Sequence, residues 1–392
     1  MSSDLRPARI LPTILFSQLA GTSLWFAGNA VILDLQRNWG LAPDSLAYVT
    51  SAVQLGFVCG TLLFALLMIS DRYSPRLVFF SCALAGAIAN LLLLAAPREL
   101  AALLLLRFAT GFFLAGIYPV GMKIAAGWYR EGLGRALGYL VGALVLGTAF
   151  PHLLRGLGAG LPWQQVIVGT SLFAALGGGA MLLGVPDGPH LAGKSRFNAR
   201  AMHEVFRSPR FRASAFGYFG HMWELYTLWA FVPVLLLAWA SRHGESLNVS
   251  GWSFVVIAAG FIGCALGGVI SARLGSARVA AAQLAVSGGC CLLSPLMLAA
   301  PAPLFIAFLL LWGVTVVGDS PQFSALNAAN APREYVGSAL TIVNSIGFGI
   351  TIVSIQLAGS MLPVLGIDFL FWLLIPGPLL GLWALMPLLR SG

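Results

Sequence analysis

Long apolar runs follow one another along most of this chain, separated by short polar turns. A helix needs about 20 apolar residues to cross the hydrocarbon of a bilayer. Twelve stretches fit that requirement: 10–33, 45–69, 76–96, 100–126, 133–154, 163–184, 213–239, 251–273, 279–300, 303–328, 336–360 and 365–388. None alternates apolar and polar residues as a membrane barrel strand does. One polar stretch is longer than the others. Segment 187–212 contains FNARAMHEVFRSPRFR, is basic, and divides the runs into two equal sets. The pattern predicts an all-α membrane protein of twelve transmembrane helices in two six-helix bundles. These are 1–186 and 213–392, tethered by a linker at 187–212 that lies along one membrane face.

Composition agrees with that class. The chain is 59% hydrophobic and 9% charged, against roughly 25% charged in a soluble domain. The net charge of +9 adds orientation. With both termini on one side, that side carries Arg6, Arg9, Arg72, Arg76, Arg130, Arg135, Lys194, Arg196, Arg200, Arg207, Arg210, Arg212, Arg273, Arg278, Arg333 and Arg390. The other side carries only Arg37, Arg98, Arg155 and Arg242. Basic residues collect on the cytoplasmic side. Both termini are therefore expected in the cytoplasm, in a bacterial inner membrane, and the basic balance serves topology rather than nucleic-acid binding. All five cysteines (Cys59, Cys82, Cys264, Cys290, Cys291) fall inside spans. They lack metal-ligand spacing with histidine and are expected to be small packing residues. The first span is long and no small-residue cleavage pattern closes it, so no cleavable signal peptide is expected.

Polar residues inside the apolar runs carry the candidate chemistry, because an ionisable group in lipid is costly unless it is used. Residues 217–233, GYFGHMWELYTLWAFVP, hold His221 and Glu224 one helical turn apart. Span 10 contains WGVTVVGDSPQFSALNAA, with Asp319 between the helix breakers Gly318 and Pro321. At 1.5 Å per residue Glu224 lies roughly 16 Å into its span and Asp319 about 14 Å from the inner end of its own. Buried acids and histidines are the groups brought into range of physiological proton exchange. Glu224 is the expected proton carrier, with His221 or Asp319 as partner; the bland alternative is a permanent structural pair such as Glu224 with His221. In span 1, Gln18, Thr22, Trp25 and Asn29 share one helical face. They either line a polar cavity or hydrogen-bond neighbouring helices. Thr341, Asn344, Phe348 and Thr351 do the same in span 11, with Gln356 further on. Asp44 is expected to cap span 2. Glycines at 134, 138, 142 and 147, and at 260, 263 and 267, permit close helix contact and are expected between the two halves.

Two inner turns look like copies of one another: MISDRYSPR (68–76) and GGVISARLGSAR (267–278). Their separation of about 200 residues indicates an internal repeat. With twelve spans in two halves and a basic central linker, the chain resembles the major facilitator superfamily along its whole length. The family's inner turn reads Gly-x-Leu-Ala-Asp-Arg-x-Gly-Arg-Arg. Asp71, Arg72 and Arg76 keep its charges, while Leu67 and Ser74 stand where glycines are expected. In the second copy Gly268, Arg273 and Gly275 match and Ala272 replaces the acid. The resemblance implies a fold of inverted repeats. It also implies a conformational latch at Asp71, Arg72, Arg76 and Arg273, with Asp71 pairing to basic groups or helix N-termini of the other half or merely capping its turn.

Span 4 reads LLLLRFATGFFLAGIYPVGMK, with Arg107, Gly111, Leu114 and Tyr118 on one face. An arginine four residues before a glycine is the family's span-4 pattern, and implies a role for Arg107 in substrate binding or proton coupling. A guanidinium suits carboxylates and other planar anions; the alternative is a structural arginine bonded to helix carbonyls. Lys123, nearer the inner end, is expected to snorkel. Tyr118-Pro119, Trp128 and Arg135 are similar to the anion:cation symporter and nitrate porter branches, although the nitrate porters' glycine-rich signatures are missing. The antiporters' glycine-proline in span 5 is missing too, since Thr148 follows Gly147. The resemblance thus implies a secondary active transporter, working by rocker-switch alternating access as a proton-coupled symporter of a small organic anion. The substrate would be held by Gln18, Trp25, Asn29, Arg107, Tyr118 and Asn344. The alternative is a proton-coupled exporter of hydrophobic or cationic compounds, gripped by Glu224, Asp319 and aromatic rings. The expected partners are a small-molecule substrate, protons or another coupling ion, and the lipid bilayer. No nucleic acid, no cofactor, no metal and no ATP-binding loop are expected, the protein is not an enzyme, and a monomer is the family's usual state.

Overall fold

The structure is a computed structural model that describes residues 7–129, 132–157, 161–190 and 201–390, apart from the side chains of 201 and 202. Arg6, Arg130, Lys194, Arg196 and Arg200 lie outside the described residues, as does much of the linker. Among the described residues every regular element is helical. Ten helices are long and apolar enough to cross a membrane. The last of these, Arg333–Arg390, holds two spans, and the shorter apolar helix Ile10–Thr22 begins another, which brings the twelve.

Span 1 is broken into Ile10–Thr22, Ala27–Ala30 and Ile32–Trp39. Span 2 is Ser45–Leu66, span 3 Pro75–Leu91, span 4 Leu100–Leu114 with Tyr118–Trp128, span 5 Leu133–Gly156 and span 6 Trp163–Gly184. Span 7 is Pro209–His243, span 8 Val249–Ala258 with Gly260–Leu274, span 9 Ser276–Met297, and span 10 Ala302–Gly318 with Ser320–Asn330. Spans 11 and 12 were expected with a loop between them. Helix instead continues to Leu370 and breaks at Gly366, whose φ of 65° and ψ of 171° suit glycine. Asp44 does sit at the N-cap of span 2, but its side chain makes no capping hydrogen bond.

The packing repeats after six spans. Span 2 packs on 4, 3 on 6, and 1 on 5 and 6; span 8 packs on 10, 9 on 12, and 7 on 11 and 12. The two most extensive contacts between the halves are 2 with 11 and 5 with 8, and six positions on each becomes the other. Glycine makes several of these contacts possible. A methyl on Gly111 would strike the backbone of Val53, and one on Gly263 the backbone of Val314. So Gly111, half of the span-4 pattern, seats span 4 on span 2. Gly138 and Gly142 do lie against span 8, at Cys264 and Phe261. Gly263 and Gly267 do not lie between the halves: they admit span 10 and Gln283 of span 9 within the C-terminal bundle.

Candidate functional site

A narrow cavity of about 20 Å³ lies between the halves. Tyr118, Val141 and Leu144 line it from spans 4 and 5. Tyr218, Met222, Leu225, Tyr226 and Trp229 line it from span 7, Val317, Ser320 and Ser324 from span 10, and Asn344 and Phe348 from span 11. Aromatic rings dominate, hydroxyls and one amide are the polar groups, and no basic side chain is among them. Tyr118 and Asn344 of the expected set are there. Tyr218, Tyr226, Trp229, Ser320 and Ser324 were missed, although residues 218, 222, 225 and 229 recur at helical spacing on one face.

Aromatic packing seals the cavity on the side away from the termini. The Trp25 ring stacks on Tyr226 (centroids 5.7 Å apart) and Phe348 (5.5 Å), and Phe57 lies 4.5 Å from Phe348. Trp25 is thus part of the seal, its Nε1 donating to Gln54 at 3.2 Å. Beyond it, Gln356 Nε2 donates to Ser51 Oγ at 2.8 Å and Asn248 Nδ2 to the Gly156 carbonyl at 3.0 Å, both across the halves. Toward the termini, a methyl on Gly134 or Gly268 would touch nothing within 4 Å.

The acids do not form one site. His221 Nδ1 lies 2.8 Å from Asp319 Oδ1, with both side chains 1% exposed. The pair is therefore His221 with Asp319, not His221 with Glu224. Asp319 joins the two helices of span 10 immediately before Ser320 of the cavity wall. Glu224 points into the C-terminal bundle, off the lining face of span 7. It accepts from Trp312 Nε1 (2.8 Å), Ser287 Oγ (2.9 Å) and Cys291 Sγ (3.3 Å). Cys291 is thus a hydrogen-bond donor, not the apolar filler expected of it.

Arg107 is fully buried and outside the cavity lining. Its Nη2 donates to the carbonyls of Leu24 (2.8 Å) and Trp25 (2.6 Å), and Nη1 to Asn90 Oδ1 (3.1 Å). The carbonyl-bonding alternative describes it. An unbroken helix would give those two carbonyls to the N–H groups of residues 28 and 29; the guanidinium replaces them where span 1 breaks. Gln18 is buried against Gly121 with no hydrogen-bond partner on either side-chain atom, and Asn29 donates to Thr50 at 2.7 Å.

Asp71 does not reach the other half. It pairs with Lys123 of span 4 at 2.6 Å, so Lys123 is an ion-pair partner rather than a snorkelling lysine. Arg76 lies 3.9 Å from Asp187, just past span 6, and Asp187 also accepts from Ser74, the N-cap of span 3. Arg72 and Arg273 lie on the same terminal side, at the ends of Ile69–Arg72 and of span 8. Among the described residues no His, Cys, Asp and Glu cluster could hold a metal ion.

The sequence profile of the Major Facilitator Superfamily matches residues 14–355. The chain is 29% identical over 188 residues to YgaY, designated a transporter, of Escherichia coli K12, covering 47% of this chain and 46% of that one. It is 28% identical over 190 residues to the Bacillus subtilis protein NiaP, designated a niacin/nicotinamide transporter, covering 45% and 44%. The chain thus spans about half the length of the curated relatives it matches. Among solved structures, the human organic anion transporter MFSD10 superposes with a TM-score of 0.74 at 17% identity, over 97% of this chain and 100% of that one. A bacterial homologue of the human lysosomal transporter Spinster, inward-facing and unoccupied, gives 0.68 at 14% identity, over 98% and 96%. At such identities the likeness is one of fold.

Proposed function

This chain belongs to the Major Facilitator Superfamily, and from that premise we propose that it is a proton-coupled secondary transporter, working by alternating access in a bacterial inner membrane with both termini in the cytoplasm. The observation that carries the coupling is the His221–Asp319 pair, buried behind the aromatic-lined cavity between the halves, with Asp319 next to Ser320 of its wall. A proton taken up by Asp319 removes the carboxylate that faces His221 across spans 7 and 10. Those spans also line the cavity, so substrate occupancy and protonation act on the same two helices. Glu224, held by three neutral donors, keeps spans 7, 9 and 10 in register. Asp71 and Arg76 have partners within the N-terminal half here, and become available to the other half as the halves rock.

The lining favours the exporter alternative over anion symport. The anion reading needed Arg107 in the cavity, and Arg107 is committed to span 1. Five aromatic side chains with Ser320, Ser324 and Asn344 suit a compound with a flat apolar body and a few polar atoms, neutral or cationic. The niacin/nicotinamide designation of one relative is compatible with a ring of that kind. The test is transport in proteoliposomes under an imposed pH gradient, with aromatic cations, nicotinamide and organic anions compared in parallel. Gradient-driven movement of a cation or neutral ring should be lost in Asp319→Asn while gradient-free exchange persists. Gradient-driven movement that survives Asp319→Asn overturns the coupling site. Accumulation confined to anions restores the symport reading.

A further inference from the structure

A second cavity lies where the linker helix Ala201–Arg207 meets the first turns of span 7. It is open, about 410 Å³, and lined by His203, Phe206, Arg207 and Arg212. From this geometry we propose that it is a binding site for an anionic phospholipid, whose headgroup phosphate sits among His203, Arg207 and Arg212.

Arg212 is held in place from behind: Nη1 donates to the carbonyls of Phe206 (2.8 Å) and Arg207 (3.1 Å), where the linker helix ends. That fixes a guanidinium at the cavity wall before any ligand arrives, and lowers the ordering cost of binding. Arg207 pairs with Glu204 at 3.2 Å. The surplus charge is positive. The neighbouring surface is apolar and descends into the membrane. The Phe206 ring lies 5.4 Å from Phe211 and 6.3 Å from Phe216. Phe216 is 49% exposed on the outside of span 7, about 10 Å below its first residue. Basic groups at the interface above an apolar wall match a phosphate with acyl chains attached, and a water-soluble phosphate would use only the upper half. Because the linker joins the halves, a lipid seated there touches the segment that must follow their rocking.

The experiment uses the full chain in detergent, titrated with phosphatidylglycerol or phosphatidylcholine and read by native mass spectrometry. Phosphatidylglycerol should be retained in preference, and retention should fall roughly thirtyfold in the Arg207→Gln/Arg212→Gln variant, about fivefold for each surface basic residue removed. Arg278→Gln, a basic exchange at the start of span 9, should not change it. His203→Gln and Arg207→Gln alone, which disturb no buried group, should shift retention in the same direction and replace the double variant if it fails to fold. Equal retention of both lipids, an equal loss in Arg278→Gln, or displacement by millimolar inorganic phosphate without lipid would overturn the proposal. The first two outcomes mean general interfacial charge, and the third a soluble-anion site.

Discussion

Arg107 and Glu224 are ionisable groups buried in the apolar interior, and they face neither the cavity nor each other. Each does work that a hydrophobic residue could not. Arg107 supplies donors to two carbonyls freed by the break in span 1 and to Asn90. Truncation strands those acceptors, and Arg107→Ala should cost on the order of 3 kcal/mol, read as a lower melting temperature in detergent. Lysine should recover little, because a point-like ammonium cannot reproduce the planar fork. The loss of transport should be the same for anionic, neutral and cationic substrates, since it follows the folded fraction; a loss confined to anions would return Arg107 to the binding site. Glu224 receives three donors from spans 9 and 10. Glu224→Gln keeps one carbonyl oxygen for Trp312 and can accept from a rotated Ser287, so it should retain pH-driven transport. Glu224→Leu leaves Trp312 Nε1 and Cys291 Sγ without their acceptor, while Ser287 keeps the Leu284 carbonyl; at roughly 1–3 kcal/mol for each stranded donor, the variant should accumulate poorly in the membrane. Collapse of coupling in a well-folded Glu224→Gln protein would make Glu224 the proton carrier after all.

Elements were legible in the sequence to the extent that their cause is local. Length and apolarity are properties of a run of residues, so the twelve spans could be counted. The break in span 1 was not legible. No proline marks residues 23–26, and what stabilises the open carbonyls there comes from Arg107, more than 80 positions later. The partners of the acids were hidden for the same reason. One helical turn linked Glu224 to His221, but the fold brings His221 to Asp319 and Glu224 to Trp312, residues that only the packing of spans 7, 9 and 10 unites. Glycine spacing signalled close contact without saying with which helix. In span 8 it is span 10, and this yields a test at the scale of elements. Gly263→Ala places a methyl against the Val314 carbonyl and must push spans 8 and 10 apart, whereas Gly268→Ala, one turn on, meets open space. The first should lower thermal stability and transport together, and the second should leave both within error. Comparable behaviour of the two would mean that spans 8 and 10 do not pack at Gly263.

Across the whole molecule the two most extensive inter-half contacts are related by the repeat, yet the side chains at the two membrane faces differ. The repeat exchanges span pairs 2–11 and 5–8 but does not exchange the two membrane faces, so the asymmetry must come from particular side chains. On the side away from the termini these are the rings of Trp25, Tyr226, Phe348 and Phe57, then the Gln356–Ser51 and Asn248–Gly156 hydrogen bonds. Each bond contributes only about 1 kcal/mol, which is appropriate for a closure that must be undone in every cycle. If the opposite state exists, these contacts break and spans 2 and 11 part at that face. A covalent bridge there should therefore stop the cycle without harming the fold. With the lipid-exposed Cys59 replaced by serine, the Ser51→Cys/Gln356→Cys protein should be joined by a short bifunctional thiol reagent, lose gradient-driven transport, and regain it on reduction. Substrate binding from the terminal side, measured by tryptophan fluorescence, should survive the bridge, because that face is untouched. Transport that continues while the bridge is intact would show that spans 2 and 11 do not separate at this face, and alternating access would have to be sought between spans 5 and 8.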